Sequence, residues 1–205
     1  MANNKISELA ELTTIAEDDY LPVVDTSETA TKRIAFSNLH KAETKDHCMQ
    51  SDSTDQVIAA GGVTDGQVIT FNTDVDSHGV ERTSSSRFTI KTVGSYLICF
   101  SGICQGNLGD IMGMWLRVGT GVGASTESNN VANSTTYYTF KGNQADAIMA
   151  VSFIYEFAVD EWFEFWCWGS YVTRVLWNAT AAVAHDAGQP ARPACPSIIF
   201  TASRI

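Results

Sequence analysis

The residues of this chain that could do acid–base or metal chemistry are too scattered to form a familiar catalytic motif. A metal centre in a β-protein needs histidine and carboxylate ligands clustered on facing strands. The sequence contains no H-x-H or H-x-x-x-H pair, which is the usual spacing signal for such a centre. We therefore interpret the four histidines as solvated residues of loops and linkers; they are His40, His47, His78 and His185.

Two groups of carboxylates are the next candidates. Asp160, Glu161 and Glu164 are close enough in sequence to suggest the acid pair of a glycosidase. However, the first two fall at a predicted turn, where solvated acids are common. Asp74 and Asp76 could hold calcium, but two carboxylates in an acidic loop are a weak signal. The sequence therefore predicts no hydrolytic centre and no calcium site.

Nucleophile and cofactor motifs are also absent from the sequence. It has no G-x-S-x-G elbow, no P-loop and no dinucleotide fingerprint. The cysteines are odd in number, and none belongs to a C-x-x-C pair, so we predict free and mostly buried thiols; they are Cys48, Cys99, Cys104, Cys167 and Cys195. We predict a protein that is not an enzyme and needs no cofactor or metal.

The charge of the chain excludes further classes of partner. The net charge is −10, and the few basic residues do not cluster, so the chain should repel nucleic acid. The polar segment Met1–Glu8 is not a signal peptide, and no apolar run is long enough to span a membrane. We expect no nucleic-acid or membrane partner and synthesis in the cytoplasm, although secretion without a cleaved signal stays open.

The elements that would position these residues are β-strands. From Val57 onward, runs rich in β-branched and aromatic residues alternate with glycine-containing turns. The candidate strands are Val57–Ala60, Gln67–Thr73, Arg87–Thr92, Ser95–Gln105, Met112–Val118, Tyr137–Phe140, Ala147–Val159, Glu161–Ser170 and Pro196–Arg204. This number and spacing of strands predict an all-β jelly-roll sandwich over residues 57–205.

Two smaller segments precede the predicted sandwich. Residues 1–40 have too few large apolar groups to build a core of their own, so we predict a short, extended docking peptide. Its contacts would come from Ile6, Leu9, Leu12, Ile15, Leu21, Val23, Ile34 and Phe36. Residues 41–56 are polar and are predicted to be a linker.

Two of the predicted strands are apolar on both faces, Ser95–Gln105 and Glu161–Gly169. One face can pack the core, but the other would leave a large apolar patch in water. We therefore predict a homo-oligomer, with these side chains divided between the core and the subunit interface: Phe100, Trp162, Phe163, Phe165, Trp166 and Trp168. The alternative is that helices or loops of the same chain cover the second face.

The order of the strands carries a family resemblance. A Phe-Thr strand at Arg87–Ile90 precedes a Gly-x-Tyr strand at Gly94–Ile98. Over residues 65–205 this order resembles the complement/tumour-necrosis-factor-type jelly roll, which implies a homotrimer whose first and last strands lie near one another. The sequence departs from the family at Val159-Asp160, where members often have Gly-Asp, and in a long insertion over residues 170–194.

A second resemblance lies in the N-terminal unit. Its short motifs follow in the order Lys5–Leu9, Leu12–Ile15, Asp18-Asp19, Leu21–Asp25 and Thr31–Ile34. This order resembles the opening of phage tail fibres, head fibres and related virion proteins. The resemblance implies that this end anchors the protein to a phage particle, on the major capsid protein or another virion protein, with the jelly roll projecting outward.

We therefore predict a non-enzymatic bacteriophage virion protein, either a trimeric capsid decoration protein or a short head fibre. The alternative is a tail-fibre-type receptor-binding protein that contacts a host receptor or glycan. Its ligand loops would contain Tyr137, Tyr138 and Trp177. A secreted complement-type ligand is a third hypothesis, which the polar N-terminus and the virion-like motifs both oppose.

Overall fold

The computed structural model describes residues 45–58, 66–170 and 196–205 in full, and residues 20–25, 30–35 and 176–177 as backbone. The chain divides into two units, Met1–Lys45 and Asp46–Ile205. Of the predicted docking residues, Ile6, Leu9, Leu12, Ile15 and Phe36 lie outside the described part.

The first unit contains an antiparallel hairpin. Strand β1 (Tyr20–Asp25) pairs with strand β2 (Ala30–Ala35), with Tyr20 opposite Ala35 and Asp25 opposite Ala30. The backbone of residues 20–25 and 30–35 is therefore extended. The described backbone includes Leu21, Val23 and Ile34, whose docking role stays a prediction.

The second unit is a sandwich of two antiparallel sheets, which confirms the all-β prediction. Strands β3 (His47–Asp52), β4 (Gln56–Val57), β6 (Thr73–His78), β9 (Gly94–Gly106), β12 (Ala145–Phe157), β14 (Leu176–Trp177) and β15 (Ile198–Arg204) form the first sheet. Strands β5 (Gln67–Val68), β7 (Val80–Arg82), β8 (Phe88–Ile90), β10 (Ile111–Thr120), β11 (Thr136–Thr139) and β13 (Glu161–Gly169) form the second.

The longest strands lie beside one another within each sheet. In the first sheet, β9 has β12 along its whole length on one side and β15 on the other, followed by β3 and β6. In the second sheet, β10 lies between β11 and β13, and β8 and β7 follow. The first and last strands of the sandwich, β3 and β15, are direct neighbours, as the jelly-roll resemblance implied.

The linker predicted over residues 41–56 is wrong from His47 onward, because β3 and β4 belong to the first sheet. Strand β3 alternates between half-exposed residues and the buried residues Cys48, Gln50 and Asp52. Two of these buried side chains are polar and are hydrogen-bonded: the Gln50 amide donates to Asp74 over 2.7 Å, and Asp52 accepts from the Thr54 backbone over 2.6 Å. Because Gln50 and Asp52 are polar, the hydropathy of the sequence did not show that buried and half-exposed residues alternate in β3.

Strands β6 and β7 were also not predicted. All six residues of β6 are exposed, because this strand forms an edge of the first sheet beyond β3. An edge strand with polar side chains on both faces has no apolar alternation to read. The segment therefore looked like an acidic loop in the sequence.

Phenylalanine side chains fill the space between the two sheets. Phe200 on β15 contacts the rings of Phe71, Phe88, Phe163 and Phe165, with ring centres 4.5 to 5.8 Å apart. All five rings are buried. Phe100 on β9 lies 4.9 Å from Phe165 and extends this cluster along the first sheet.

Among the described cysteines, three thiols are buried and Cys99 is half-exposed. Burial raises the pKa of Cys48 and of Cys104 to about 12, from an ordinary value of about 9. The folded chain therefore keeps these two protons at pH values where the unfolded chain has lost them. By linkage, the free energy of unfolding should fall as pH rises above 9 towards 12.

We expect a Cys48→Ala/Cys104→Ala variant to lose stability less steeply above pH 9 than the unmodified chain. Each thiol contributes up to about 1.4 kcal/mol per pH unit. Urea unfolding between pH 8 and pH 10.5 measures the slope, and Cys99→Ala is the control because its thiol is half-exposed. Equal slopes in all three proteins would contradict the assignment.

Candidate functional site

The three carboxylates considered above as a possible glycosidase pair have structural partners in the sandwich. Asp160 lies in the turn between β12 and β13 with a left-handed φ of 62°, a backbone conformation that aspartate tolerates better than most residues. The Glu161 carboxylate accepts a hydrogen bond from the Ala158 backbone over 2.8 Å, and Glu164 accepts one from Arg87 over 2.9 Å. Glu161 therefore stabilises the turn between β12 and β13, and Glu164 forms an ion pair with Arg87.

Two of the histidines lie in strands of the first sheet, whereas the sequence predicted loops. His47 on β3 and His78 on β6 stack with ring centres 6.2 Å apart. His47 contacts the Asp76 carboxylate over 3.1 Å, and His78 contacts the Asp46 carboxylate over 3.3 Å. Within the described ranges no three or more His, Cys, Asp or Glu side chains are grouped so that they could hold a metal ion. His40 and His185 lie outside those ranges.

Residues of the same chain cover part of the tryptophan face of β13. The Arg87 guanidinium lies 3.9 Å from the ring centre of Trp162, and the Arg117 guanidinium lies 3.6 Å from that of Trp166. Trp162 is 3% exposed. Trp162 is therefore buried without a second subunit. At this residue the structure agrees with the alternative that the same chain covers the second face of the strand.

Hydrogen bonds fix the cations of this face. Glu164 is buried and accepts from both Arg87 Nε over 2.9 Å and Trp166 Nε1 over 3.1 Å. Arg117 is also buried, and this burial lowers its pKa, although the negative charges of Glu127 and Glu164 act to raise it. The result is a rigid layer of arginine and tryptophan over the outer side of the second sheet.

An open cleft of about 570 Å³ lies beside this layer. Six of the residues that line it are Trp115, Glu127, Asn130, Tyr137, Thr139 and Trp168. Asn130 Oδ1 accepts hydrogen bonds from Trp115 Nε1 over 2.8 Å and from Arg117 Nε over 2.7 Å. This shared acceptor ties the wall of the cleft to the arginine and tryptophan layer.

A glycine lies beneath one of the rings that line the cleft. Gly113 on β10 is paired with Tyr137 on β11 and with Trp168 on β13, so two aromatic residues flank a position without a side chain. A Cβ atom on Gly113 would lie 2.7 Å from Tyr137 Cε1. Only glycine lets the tyrosine ring approach the strand this closely.

The three predicted ligand-loop residues have different positions. Tyr137 is 66% exposed and lines the cleft. Its neighbour Tyr138 has the opposite orientation in β11 and packs on Phe140, with ring centres 5.1 Å apart. Tyr138 is half-exposed and packs against the core, and its ligand role stays a prediction. Only the backbone of Trp177 is described, in β14.

The first sheet has a second surface of interest, its outer face. Alternate residues of β9 are buried, including Tyr96, Ile98 and Phe100, whereas Leu97, Cys99 and Ile103 are half-exposed on the other side. The neighbouring strands extend this outer face with Ile148, Ala150, Ser152 and Ile154 of β12, Ile199 and Thr201 of β15, and Met49 of β3. These paired rows form a continuous, uncharged surface, which we call the first-sheet face.

No family model and no curated protein matches the chain. Among solved structures, the chain is similar to the globular domain of zebrafish complement 1qA protein, with 12% identity, a TM-score of 0.48, and coverage of 79% of this chain and 98% of that one. It is also similar to murine APRIL at pH 5.0, with 8% identity, the same TM-score, and coverage of 79% and 100%. The sandwich rests on the strand pairing described above, and the virion resemblance of residues 1–40 stays a prediction.

The described residues contain no helix long and apolar enough to cross a membrane.

Proposed function

We propose that this chain is a non-enzymatic structural protein of a bacteriophage particle. In this proposal it forms a homotrimer through the first-sheet face and docks on the particle through residues 1–40, as a capsid decoration protein or a short head fibre. The observation that carries the homotrimer is the uncharged, largely apolar first-sheet face, and the phage particle is proposed from the order of motifs in residues 1–40.

The composition of the first-sheet face favours a subunit interface. Ile148 is 71% exposed and Ile154 is 69% exposed, although both lie in a regular strand. Single exposed apolar residues are ordinary, whereas a contiguous apolar patch usually marks an interaction site. Between Asp146 and Glu156, β12 carries no charged residue, and depletion of charge is typical of interface centres. A second copy of the chain offers a surface of matching chemistry.

The N-terminal motifs support the particle as the partner of residues 1–40. Three docking peptides on one trimer would bind together, since engagement of the first raises the effective concentration of the others. A weak single contact therefore suffices for stable attachment. This mechanism requires both trimer formation and the docking peptide. One mutation can remove trimer formation and another can remove the peptide, so the two contributions can be tested separately.

We expect the full chain to have three times its 22.3 kDa mass in light scattering and to bind particles of the phage that encodes it. Deleting residues 1–40 should abolish particle binding and leave the trimer intact. Ile154→Asp should give a monomer, because an unpaired carboxylate would be buried in the interface, and should weaken particle binding through lost avidity.

Val122→Asp is the matched control, since Val122 is fully exposed in the loop after β10 and should change neither mass nor binding. Cys99 gives a second readout. Its half-exposed thiol lies on the first-sheet face and should react slowly with an alkylating reagent in the trimer and quickly in the Ile154→Asp monomer. Undiminished particle binding after the deletion, or a trimer that survives Ile154→Asp, would overturn the corresponding half of the proposal.

A further inference from the structure

We propose that the cleft formed by Trp115, Tyr137 and Trp168 is a binding site for a neutral saccharide. This inference goes beyond the structural role, which requires no ligand. It rests on the aromatic surfaces, the hydrogen-bonding groups and the charge of the cleft.

Aromatic rings line the cleft on more than one strand. Tyr137 belongs to β11, Trp115 to β10 and Trp168 to β13, and both tryptophans are partly exposed. The C–H face of a pyranose ring is apolar, with slightly positive hydrogens that pack well on the negative face of an aromatic ring. Gly113, which has no side chain, lets the Tyr137 ring lie close over β10 beside Trp168.

Polar groups of both kinds surround these rings. Because Asn130 Oδ1 already accepts two hydrogen bonds, the orientation of this amide is fixed and its Nδ2 group is the remaining donor. Glu127 supplies carboxylate oxygens as acceptors, and the hydroxyl groups of Tyr137 and Thr139 can donate or accept. Sugar hydroxyl groups also donate and accept, so this mixture suits them better than it suits a purely apolar ligand.

The charge of the cleft selects against acidic ligands. Its cation, Arg117, is buried, donates to Asn130 and stacks on Trp166. Glu127 adds a negative charge, and the whole chain carries a net charge of −10. Among the described residues that line the cleft no other cation is present, so a phosphate or a sialic-acid carboxylate would meet repulsion there. A neutral hexose or N-acetylhexosamine meets no such penalty.

The cleft is also preformed and accessible. The loop after β10 is held by Asn129, whose amide donates to the Val118 carbonyl over 3.0 Å, so little ordering accompanies binding. The volume of about 570 Å³ is ordinary for a small-ligand site. The cleft lies on the outer side of the second sheet, away from the first-sheet face, and stays open in the proposed trimer.

The test is binding of the full-length protein to an array of neutral and acidic saccharides, followed by titration of the tightest neutral saccharide. Tryptophan fluorescence reports on the site directly through Trp115 and Trp168. We expect binding of neutral hexose- or N-acetylhexosamine-containing saccharides. Tyr137→Ala should weaken this binding at least tenfold, and Tyr137→Phe should keep most of it.

Leu108→Ala is the matched control, because Leu108 is 64% exposed and lies in the turn between β9 and β10. It should bind as tightly as the unmodified chain. Gly113→Ala tests the position of the Tyr137 ring independently, since the added methyl group would displace this ring and should also weaken binding tenfold. Absence of binding across the neutral saccharides, preference for acidic ones, or unchanged affinity in Tyr137→Ala would each overturn the inference. None of these outcomes bears on trimer formation or particle docking.

Discussion

Replacing Phe200 by alanine is expected to lower the free energy of unfolding by about 4 kcal/mol, since loss of a buried phenylalanine typically costs about 3–5 kcal/mol. Phe200 belongs to the first sheet, yet its ring contacts Phe88 and Phe163 of the second sheet at 4.5 and 5.8 Å between ring centres. Its removal opens a cavity where both sheets meet. Because strands surround this point, little relaxation can refill the space.

Urea unfolding at a fixed protomer concentration measures this effect, and the concentration must match because assembly also contributes to stability. Phe200→Leu should cost much less, since most of the volume is retained. Val75→Ala is a suitable control because Val75 is exposed on the edge strand β6, and its effect should stay within about 0.5 kcal/mol. A Phe200→Ala effect below about 1 kcal/mol would show that the ring isn't central to the packing.

The second large effect is expected at Glu164. Glu164→Gln should lower the free energy of unfolding by about 3 kcal/mol, in the range found when one partner of a buried ion pair is removed. The glutamate and Arg87 are both largely buried and are joined over 2.9 Å. Glutamine keeps the shape of the side chain but leaves the Arg87 charge uncompensated in the arginine and tryptophan layer.

Glu81→Gln is the matched control for charge removal. Glu81 pairs with Lys91 over 3.2 Å, but both side chains are well exposed to solvent, and such surface pairs contribute about 0–1 kcal/mol. Salt should reduce the Glu81 effect by screening and leave most of the Glu164 effect. Equal losses in the two variants would contradict the proposed burial of the Arg87–Glu164 pair.

Alternation of apolar residues was sufficient to predict the central strands. In β9, the predicted division between Tyr96, Ile98 and Phe100 on one face and Leu97 and Cys99 on the other matches the structure. Strand β3 was missed because its buried positions include Gln50 and Asp52. Hydropathy scores how favourably a side chain leaves water on its own. It cannot identify a buried polar side chain such as Gln50 or Asp52, whose burial is compensated by hydrogen bonds.

The covering of the tryptophan face could not be predicted from the pattern of strands. Arg87 and Glu164 are 77 positions apart, and their pairing follows from the fold rather than from any local motif. For the same reason only Tyr137 of the cleft was predicted as a ligand contact. Its neighbours Gly113 and Trp168 are brought beside it by strand register, and a glycine between two aromatic residues in adjacent strands is the signal that would have revealed the site.

The two outer strands of the first sheet differ in a way that bears on how the protein is produced. Strand β6 carries Asp74 and Asp76, and like charges on an edge repel further strands. Strand β12 pairs only with β9 in the described chain, and its other side presents a long, uncharged row of amide and carbonyl groups. Such an edge is a template for aggregation. Association of newly made chains through this edge, rather than through the edge formed by β6, is therefore the expected route by which soluble protein would be lost.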